Sequence, residues 1–448
     1  MPKLITTRTR IADLGKPRVI VIGGGFGGVE VVKALRKEKV QVVLFDKYNH
    51  HTFQPLLYQV ATSGLETNSI VFPFRKLFGK QPDFYFRLAD VKKVIPEENC
   101  IETSIGSINY DYLVIATGAV TNFYGMKEVE DNASFMKNIV DATKLRNKII
   151  RNFEYALLTE DNDVMNSLMD FVIVGGGPTG VELAGALSEL KRNVFPKDYP
   201  ELDMRQMDIY LVQASDRLLD GMSVQASKKA YDFLTQMGVK VLLNTAVKGY
   251  DGQEVVLSTG EKINSRSLIW AAGVKGNPIQ GFPPQAIGRG NRILTDEYSR
   301  VKGYNNIFAI GDVALMEGDA RFPQGHPQMA PPSQQQGILV AKNIGNMIRK
   351  RALKPFSYFD KGSMATVGRN KAVCDLRGGI RFQGVFAWYV WMFVHLMSII
   401  GFKNKLLTLF SWMISYFTYD RSNRLIIGRN EEKNLQAEIK VDAHGKQA

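Results

Sequence analysis

Residues 18–46 read RVIVIGGGFGGVEVVKALRKEKVQVVLFD, and this stretch decides the fold. An apolar, β-branched run leads into Gly23-x-Gly25-x-x-Gly28, a helical pattern follows, and a second apolar run ends at an acid. The pattern predicts a strand, a glycine-rich turn, a helix and a second strand. Glycines in such a turn let the backbone approach a pyrophosphate at the helix N-terminus, and Asp46 can accept a hydrogen bond from a ribose hydroxyl. The stretch therefore predicts a dinucleotide-binding βαβ unit.

The same pattern returns later in the chain, where Gly175-x-Gly177-x-x-Gly180 follows the apolar run DFVIVG and opens a helix. The next strand ends in Gln213 where the first unit has an acid, and Arg217 follows four residues on. An acid at this position repels the 2′-phosphate of NADPH, so Gln213 with Arg217 keeps NADPH open as a donor beside NADH. In the alternative interpretation, Gln213 hydrogen-bonds the ribose of NADH and Arg217 is a solvated surface charge.

Three further apolar runs organise the chain. YLVIATG at 112–118 follows the first unit and SLIWAAG at 267–273 follows the second. NIFAIGD at 306–312 has no glycine-rich loop of its own, so we expect it to return the chain to the first domain, with the second domain as an insertion. The expected divisions are 17–125 and 283–376 for the two parts of an FAD-binding domain, 126–282 for an inserted NAD(P)H-binding domain, 377–430 for membrane-anchoring C-terminal helices and 431–448 for a polar tail.

Composition limits the chemistry. Lys plus Arg exceed Asp plus Glu by 57 − 44, a net charge of +13 that favours an anionic partner. Cys100 and Cys374 are the two cysteines and lie far apart in sequence, which argues against a disulfide framework, a redox dithiol and a zinc site. Two dinucleotide units without a dithiol indicate a flavoprotein that takes hydride from a nicotinamide and passes electrons to a dissolved or membrane-borne acceptor. No metal site is expected.

The C-terminal region favours the membrane-borne acceptor. Residues 382–402 contain no Asp, Glu, Lys or Arg, and 406–419 are again uncharged. In the second run the polar residues fall on one helical stripe, which predicts an amphipathic helix at a lipid surface. The alternatives are one spanning helix over 382–402 and a helical hairpin buried at a dimer interface. The polar residues of the stripe are Thr408, Ser411, Ser415 and Thr418.

The expected location is the cytoplasmic face of the inner (cell) membrane, with the protein bound peripherally. The first seventeen residues are polar and basic and lack the apolar run of a signal peptide. The basic excess has a membrane explanation and no nucleic-acid recognition motif is present, so nucleic acid is not an expected partner.

Several specific stretches carry a family resemblance. The chain resembles the type II NADH:quinone oxidoreductases, which are single-subunit respiratory dehydrogenases that do not pump protons. The resemblance covers nearly the whole chain. It rests on NHHTFQPLLYQVATSG (49–64), YDYLVIATGA (110–119), GGGPTGVELAG (175–185), LIWAAGV (268–274), FAIGD (308–312), GSMATVGRNKAV (362–373) and the aromatic set Trp388, Trp391 and His395.

The resemblance implies an α/β fold of two Rossmann-like domains with a membrane-docking C-terminal segment, and a homodimer. It implies FAD as cofactor, NADH (with NADPH as the alternative) as donor, and a membrane quinone as acceptor. Asp312 would bond the ribityl chain of FAD, with a helix N-cap as the alternative role. Glu182 would lie beside the nicotinamide, with an ion pair to Arg or Lys as its alternative.

The remaining candidate contacts follow from the same resemblance. Those of FAD are Phe26, Gly27, Lys47, Pro55, Leu56, Leu57, Val91, Thr117, Gly118 and Gly311. Those of the donor nucleotide are Pro178, Thr179, Ala272 and Gly273.

The quinone contacts depart from the family pattern in one place. Residues 329–337 read MAPPSQQQG, where the family commonly has Ala-Gln-x-x-x-Gln-Gln. Ala330, Gln335 and Gln336 match, but Pro331 replaces the first Gln. Gln335 and Gln336, together with Glu182, are the candidate catalytic residues, and capping of a helix N-terminus is the alternative for the two glutamines. A soluble reductase of a protein acceptor and a flavin-bearing redox sensor are the alternative functions.

Overall fold

The computed structural model of the chain describes residues 9–421 and 423–428. The predicted tail, 431–448, lies outside these residues. The chain forms two compact units. The first contains 9–52, Val71–Val120 and Val274–Lys361, and the second contains Phe53–Ile70, Thr121–Gly273 and the described residues after 361. Phe53–Ile70 therefore belongs to the second unit, although the sequence-based division placed it in the first part of the FAD-binding domain.

The first unit is built on a five-stranded parallel sheet. Its central strand follows from the β-branched run at 18–22, whose residues 19–22 are buried on both faces, as a parallel strand covered on both sides requires. The strand formed by the run without its own glycine loop belongs to this sheet and pairs with the strand at 112–115. In spatial order the strands are β22 (Ile307–Ala309), β9 (Tyr112–Ile115), β1 (Arg18–Ile22), β2 (Gln41–Asp46) and β5 (Phe84–Leu88).

The other helices and strands of the first unit lie around this sheet. The helices are α1 (Phe26–Leu35), α3 (Phe74–Phe78) and α10 (Ala330–Ile348). The strands are β3 (His50–Thr52), β4 (Val71–Pro73), β6 (Val91–Ile95), β7 (Cys100–Thr103), β8 (Gly106–Asn109), β10 (Ala119–Thr121), β19 (Val274–Gly276), β20 (Ile287–Gly288), β21 (Arg292–Thr295) and β23 (Ala314–Met316).

The second unit repeats the design with another five-stranded parallel sheet. All four residues of its central strand, FVIV at 171–174, are buried. In spatial order the strands are β11 (Ser134–Phe135), β18 (Leu268–Trp270), β12 (Phe171–Val174), β13 (Ile209–Val212) and β14 (Lys240–Leu242).

The second unit also carries most of the helices. They are α2 (Leu57–Ala61), α4 (Lys127–Asn132), α5 (Ile139–Ala156), α6 (Asn162–Met169), α7 (Pro178–Asn193), α8 (Phe195–Asp198), α9 (Val224–Gln236), α11 (Val385–Ser398) and α12 (Phe402–Thr418). Its antiparallel strands are β15 (Val247–Tyr250), β16 (Glu254–Leu257), β17 (Lys262–Asn264), β24 (Gly362–Gly368), β25 (Lys371–Leu376) and β26 (Arg381–Gln383).

The C-terminal helices differ from one of the alternatives considered above. A single spanning helix over 382–402 does not form, because α11 ends at Ser398, and Ile399 and Gly401 adopt extended or left-handed backbone before α12 begins. Within residues 9–421 and 423–428, no helix is long and apolar enough to cross a bilayer. A helix is present where the amphipathic one was predicted, and it begins four residues earlier than the uncharged run, at Phe402.

Both Rossmann units depend on a contact between two glycines. A Cβ on Gly28 would lie 1.9 Å from the carbonyl oxygen of Gly23, and a Cβ on Gly180 would lie 1.9 Å from that of Gly175. These distances are far inside van der Waals contact, so helix and strand approach this closely only when the third glycine of each motif has no side chain. The first glycine ends the strand, since Gly23 and Gly175 take φ of +100° and +108°, where other residues are strained.

The second glycine of each motif behaves in the opposite way. A Cβ on Gly177 would meet no protein atom within 4 Å, and its φ of −73° suits any residue. We therefore expect Gly180→Ala to lower the free energy of unfolding by about 1–3 kcal/mol through overpacking, with Gly177→Ala close to wild type. Thermal unfolding of the two variants measures this difference. Equal melting temperatures would show that α7 can shift away from β12 at no cost.

Candidate functional site

The first glycine loop borders a cleft in the first unit. The cleft has a volume of about 510 Å³ and lies at the carboxyl ends of β1, β2 and β9, where ligands bind in open α/β sheets. Five of the predicted FAD contacts line it, and Asp90, Asn277 and Pro278 line it as well, although the sequence analysis did not identify them. The five predicted residues are Gly23, Asp46, Lys47, Val91 and Thr117.

Asp46 is held in place for a ligand of the cleft. Its Oδ2 accepts from the N–H of Gly24 at 2.6 Å and its Oδ1 accepts from the N–H of Tyr48 at 2.7 Å. Burial raises the pKa of the Asp46 carboxyl, and these two N–H donors oppose the shift. Each carboxylate oxygen has a second lone pair, so Asp46 can also accept hydrogen bonds from ribose hydroxyls.

The residues around the first loop fit an anionic pyrophosphate. The N-cap of α1 is Gly25, which has no side chain to occupy the first-turn N–H groups, and a Cβ there would meet no protein atom within 4 Å. An exposed helix N-terminus of this kind favours a phosphate. The residues present therefore fit a dinucleotide such as FAD.

The other predicted FAD contacts are distributed differently. Gly27 lies where α1 crosses α10, since a Cβ there would be 3.1 Å from the carbonyl oxygen of Ser333. Asp312 lies inside a short 3₁₀ turn, Gly311–Val313, whose N-cap is Ile310, so the alternative N-cap role for Asp312 is wrong. The remaining members do not line the cleft of the first unit. They are Phe26, Gly118 and Gly311 in the first unit and Pro55, Leu56 and Leu57 in the second.

The second loop has the same geometry as the first. The N-cap of α7 is Gly177, and the exposed Pro178 and Thr179 open the helix. The side-chain Oε1 of Gln213 accepts from the N–H of Gly176 at 2.7 Å, which is the contact that Asp46 makes with Gly24 in the first unit. Arg217 donates from Nη2 to the carbonyl oxygen of Asp220 at 2.7 Å.

Ala272 and Gly273 follow β18 in the second unit. Gly273 has a φ of +98°, and a Cβ there would be 2.4 Å from the hydroxyl oxygen of Tyr124. The Tyr124 side chain is 65% exposed, so it lies on the solvent side of this turn. Together these residues border the carboxyl end of β18, the edge at which the glycine loop also lies.

Glu182 is a buried acid in the second turn of α7, and its side chain is only 8% exposed. Its Oε1 lies 3.5 Å from the backbone nitrogen of Thr366, and the indole of Trp391 faces the same carboxyl and favours its ionised form. Burial outweighs both contacts and raises the pKa of Glu182 to about 8. Among the described residues no Arg or Lys forms an ion pair with it, so the alternative of a plain salt bridge is wrong.

The ion pair near this region belongs to Glu189, two helical turns further along α7. Its Oε2 pairs with Nη2 of Arg421 at 2.6 Å, and its Oε1 accepts from the N–H of Arg369. The guanidinium of Arg369 lies between the rings of Tyr416 and Tyr419, at 3.9 and 4.0 Å from their centroids. These contacts fasten the end of α12 to α7, and they border a cavity that Glu182 also lines.

The two candidate glutamines make contacts within the first unit. Gln335 exchanges two hydrogen bonds with the backbone of Phe359, at 2.9 and 3.0 Å. Gln336 is buried, and its Oε1 accepts from the N–H of Gly311 at 2.7 Å. Neither side chain caps the start of α10. Their predicted contacts with flavin or quinone oxygens stay predictions, and Gln335 would have to leave Phe359 to make one.

The C-terminal helices turn their apolar residues outward. In α12 the polar Asn404 and Thr408 are buried, and Nδ2 of Asn404 donates to the carbonyl oxygen of Asn68. Trp412 donates from Nε1 to Oε1 of Gln59 at 2.7 Å. This arrangement reverses the pattern of a surface helix in water. The exposed apolar side chains of the two helices are Val385, Phe386, Tyr389, Phe393, Val394, Met397, Phe402, Leu406, Phe410, Met413, Ile414 and Phe417.

Comparisons with known proteins agree with this geometry. Residues 17–337 match the model of the pyridine nucleotide-disulphide oxidoreductase family, and residues 361–420 match the NDH2 C-terminal domain. The chain is 32% identical to the type II NADH:quinone oxidoreductase Ndh of Mycobacterium tuberculosis, covering 96% of each protein. The chain belongs to the type II NADH:quinone oxidoreductase family.

Two further proteins extend the comparison. The type II NADH:quinone oxidoreductase NdhA of M. tuberculosis is 33% identical and is matched over 92% of this chain and 90% of its own length. The structure of NDH2 from Plasmodium falciparum in complex with NADH superposes with a TM-score of 0.84 over 92% of this chain and 100% of that one, at 21% identity. At 21% identity the similarity to this structure shows a shared fold.

The raised pKa of Glu182 makes a stability prediction. Between about pH 4.5 and 8 the folded protein keeps the Glu182 proton while the unfolded chain has lost it, so the free energy of unfolding falls as pH rises through this window. Glu182→Gln removes that loss. We expect the free energy of unfolding of the variant to rise relative to wild type by about 1.4 kcal/mol for each pH unit in the window. Above the window this difference should stay constant.

Thermal or denaturant unfolding of the two proteins at a series of pH values measures the difference. Infrared difference spectra supply the control, since a protonated carboxyl band should be present in wild type at neutral pH and missing in Glu182→Gln. A stability difference that stays flat with pH would mean that Glu182 is ionised in the folded protein.

Proposed function

We propose that this chain oxidises NADH through bound FAD and reduces a membrane quinone, without proton pumping. One observation carries the proposal: the chain has two strand–glycine–helix loops, one in each unit, and the second glycine of each faces open space. Gly25 and Gly177 are the positions at which a pyrophosphate needs that space. Membership of the type II NADH:quinone oxidoreductase family supports the assignment of donor and acceptor.

Each loop has a separate task. In the first unit, Asp46 and the first turn of α1 would hold FAD, which when bound accepts hydride from a nicotinamide and returns electrons to a quinone. In the second unit, the first turn of α7 would hold the NADH pyrophosphate, and Gln213 would lie beside the ribose. The chain's part in the reaction is thus to bind, to orient and to exclude water.

Glu182 can serve as a store of one proton. With a pKa of about 8, its carboxyl is mainly protonated at neutral pH, and it borders the cavity between α7 and the C-terminal helices. Quinone reduction consumes two protons, so an acid with a pKa near the working pH is suited to supply one. Our proposal for Glu182 is therefore proton supply, in addition to the predicted position beside the nicotinamide.

The burial of both cysteines supports electron transfer from the flavin to the acceptor without a thiol intermediate. Cys100 and Cys374 are both free and buried, and burial raises the pKa of the Cys374 thiol to about 11. Thiol chemistry requires an accessible thiolate, which these environments disfavour. A soluble reductase would not need the outward-facing aromatic residues of α11 and α12, so these residues give that alternative no support.

Anaerobic stopped-flow absorbance tests the reaction. Mixing with NADH should bleach the oxidised flavin band, and a short-chain quinone should then restore it. Gly177→Ala tests the nucleotide site, because its Cβ meets no protein atom but would occupy the place of the pyrophosphate, and dithionite reduction is the control. We expect this variant to bleach at least tenfold more slowly with NADH and normally with dithionite. A band that bleaches with NADH but is not restored by quinone would contradict the proposed acceptor.

The proposed contact with lipid rests on the outward-facing apolar side chains of α11 and α12. We propose that this surface lies in the interface of the membrane and that the protein binds peripherally, with the cytoplasmic face and the homodimer staying predictions. Phe402 and Phe417 are each 76% exposed and Phe410 is 55% exposed. Transfer of aromatic side chains at such positions from water to the headgroup boundary is favourable.

Phe410→Glu/Phe417→Glu tests the lipid contact, since it changes two exposed side chains and leaves the buried face of α12 intact. Burial of each Phe is worth about 1.5–3 kcal/mol, so binding to anionic phospholipid vesicles should fall more than tenfold. Leu158→Glu/Val224→Glu adds the same charge at two exposed apolar positions outside these helices and should co-sediment like wild type. Equal sedimentation of all three proteins would refute the docking role of α12.

A further inference from the structure

The loop that follows β13 contains a network that the sequence pattern did not reveal. It connects Gln213, Ser215, Arg217 and Asp220, all in the second unit. The starting point is Gln213, which stands where the first unit has Asp46. Gln213 accepts from the backbone N–H of Gly176 at 2.7 Å, as Asp46 accepts from that of Gly24 at 2.6 Å. Gln213 thus copies the geometry of the acid without its charge.

A carboxylate lies next to this neutral amide. The Nε2 of Gln213 donates to Oδ2 of Asp220 at 3.2 Å, and the hydroxyl of Ser215 donates to the same oxygen at 2.8 Å. Nε2 of Gln213 also donates to the Ser215 hydroxyl. The three side chains form a closed set of hydrogen bonds. The negative charge that Gln213 lacks is therefore present one hydrogen bond away.

Asp220 also engages the cation of the loop. Nη2 of Arg217 donates to the carbonyl oxygen of Asp220 at 2.7 Å, and Nε of Arg217 lies 3.6 Å from Oδ1 of the same residue. Nη1 of Arg217 points to the carbonyl oxygen of Met222 at 3.4 Å. The sequence predicted Arg217 as a possible partner for a 2′-phosphate, but in the structure its guanidinium contacts Asp220.

We propose that Asp220 is the residue that makes this chain select NADH over NADPH. The inference rests on the proposed function, because it assumes that a nicotinamide dinucleotide binds at the loop of Gly175 to Gly180. Its carboxylate repels a 2′-phosphate next to Gln213, and it withdraws Arg217, which would otherwise attract one. The amide of Gln213 still offers an oxygen and an N–H to ribose hydroxyls.

The repulsion is large enough to decide between the two donors. Charges a few ångströms apart at a protein surface repel each other most strongly at low ionic strength, and salt and solvent weaken this repulsion. A residual effect of about tenfold in relative affinity is a conservative expectation. Asp216 offers a matched control, since it is an exposed acid of the same loop, four residues before Asp220.

Calorimetric titration of the intact flavoprotein with two nucleotide fragments tests the inference without turnover. The fragments are AMP and adenosine 2′,5′-bisphosphate, which differ by the 2′-phosphate. We expect Asp220→Asn to raise the affinity for the bisphosphate relative to AMP by about tenfold, and to raise the NADPH to NADH ratio of kcat/KM in the same direction. Asp216→Asn should change the relative affinity less than twofold.

Two further comparisons decide what a shift in selectivity means. Adding Arg217→Ala to Asp220→Asn should cancel most of the gain, because Arg217 is then no longer present to bind the 2′-phosphate. An unchanged selectivity in Asp220→Asn, or equal shifts in the Asp216 and Asp220 variants, would overturn the proposal. The expected fragment selectivity in a protein that fails to reduce quinones would support the role of Asp220 and refute the proposed acceptor instead.

Discussion

The whole structure depends on a backbone contact that only glycine permits. In each unit the third glycine of the motif presses its Cα against the carbonyl oxygen of the first, and this contact fixes where the helix starts relative to the strand. Because the helix start is fixed, its first-turn N–H groups point to a set place beside the carboxyl edge of the sheet. The residue at the end of the next strand, Asp46 or Gln213, then accepts from the N–H of the residue after the first glycine, Gly24 or Gly176. One steric constraint thereby positions both the proposed phosphate site and the proposed ribose site.

The sequence predicted these features because they are local. A glycine spacing, a β-branched run and a strand-terminal acid act within about thirty residues, so the two βαβ units follow from the pattern. The amphipathic character of α12 also follows from its period. The helix begins earlier than predicted, at Phe402. Asn404 lies in this added turn, where it is buried and donates to the carbonyl oxygen of Asn68. That partner lies more than three hundred residues away in sequence.

The features that the sequence did not predict depend on such distant partners. Thr366 and Trp391 bury Glu182, and no local signal distinguishes this acid from Glu189, which lies two turns along the same helix and pairs with Arg421. Asn277 reaches the first cleft because its carbonyl oxygen accepts from the hydroxyl of Thr117 at 2.6 Å. Gln213 was correctly placed at the end of its strand. The exception is its partner Asp220, which is only seven residues away but is marked by no sequence motif, because the contact depends on how the loop after β13 folds.

The order of strands in the first sheet has a consequence for synthesis of the chain. β9 is complete when residue 115 leaves the ribosome, but its neighbour β22 consists of Ile307–Ala309, so one edge of the nascent sheet has no partner while almost two hundred residues are made. An unpaired parallel edge is a site for misassembly with other chains. The sheet of the second unit is encoded between residues 134 and 270 and can form during this interval. The parallel sheet of the second unit can thus be complete before the sheet of the first unit gains its last strand.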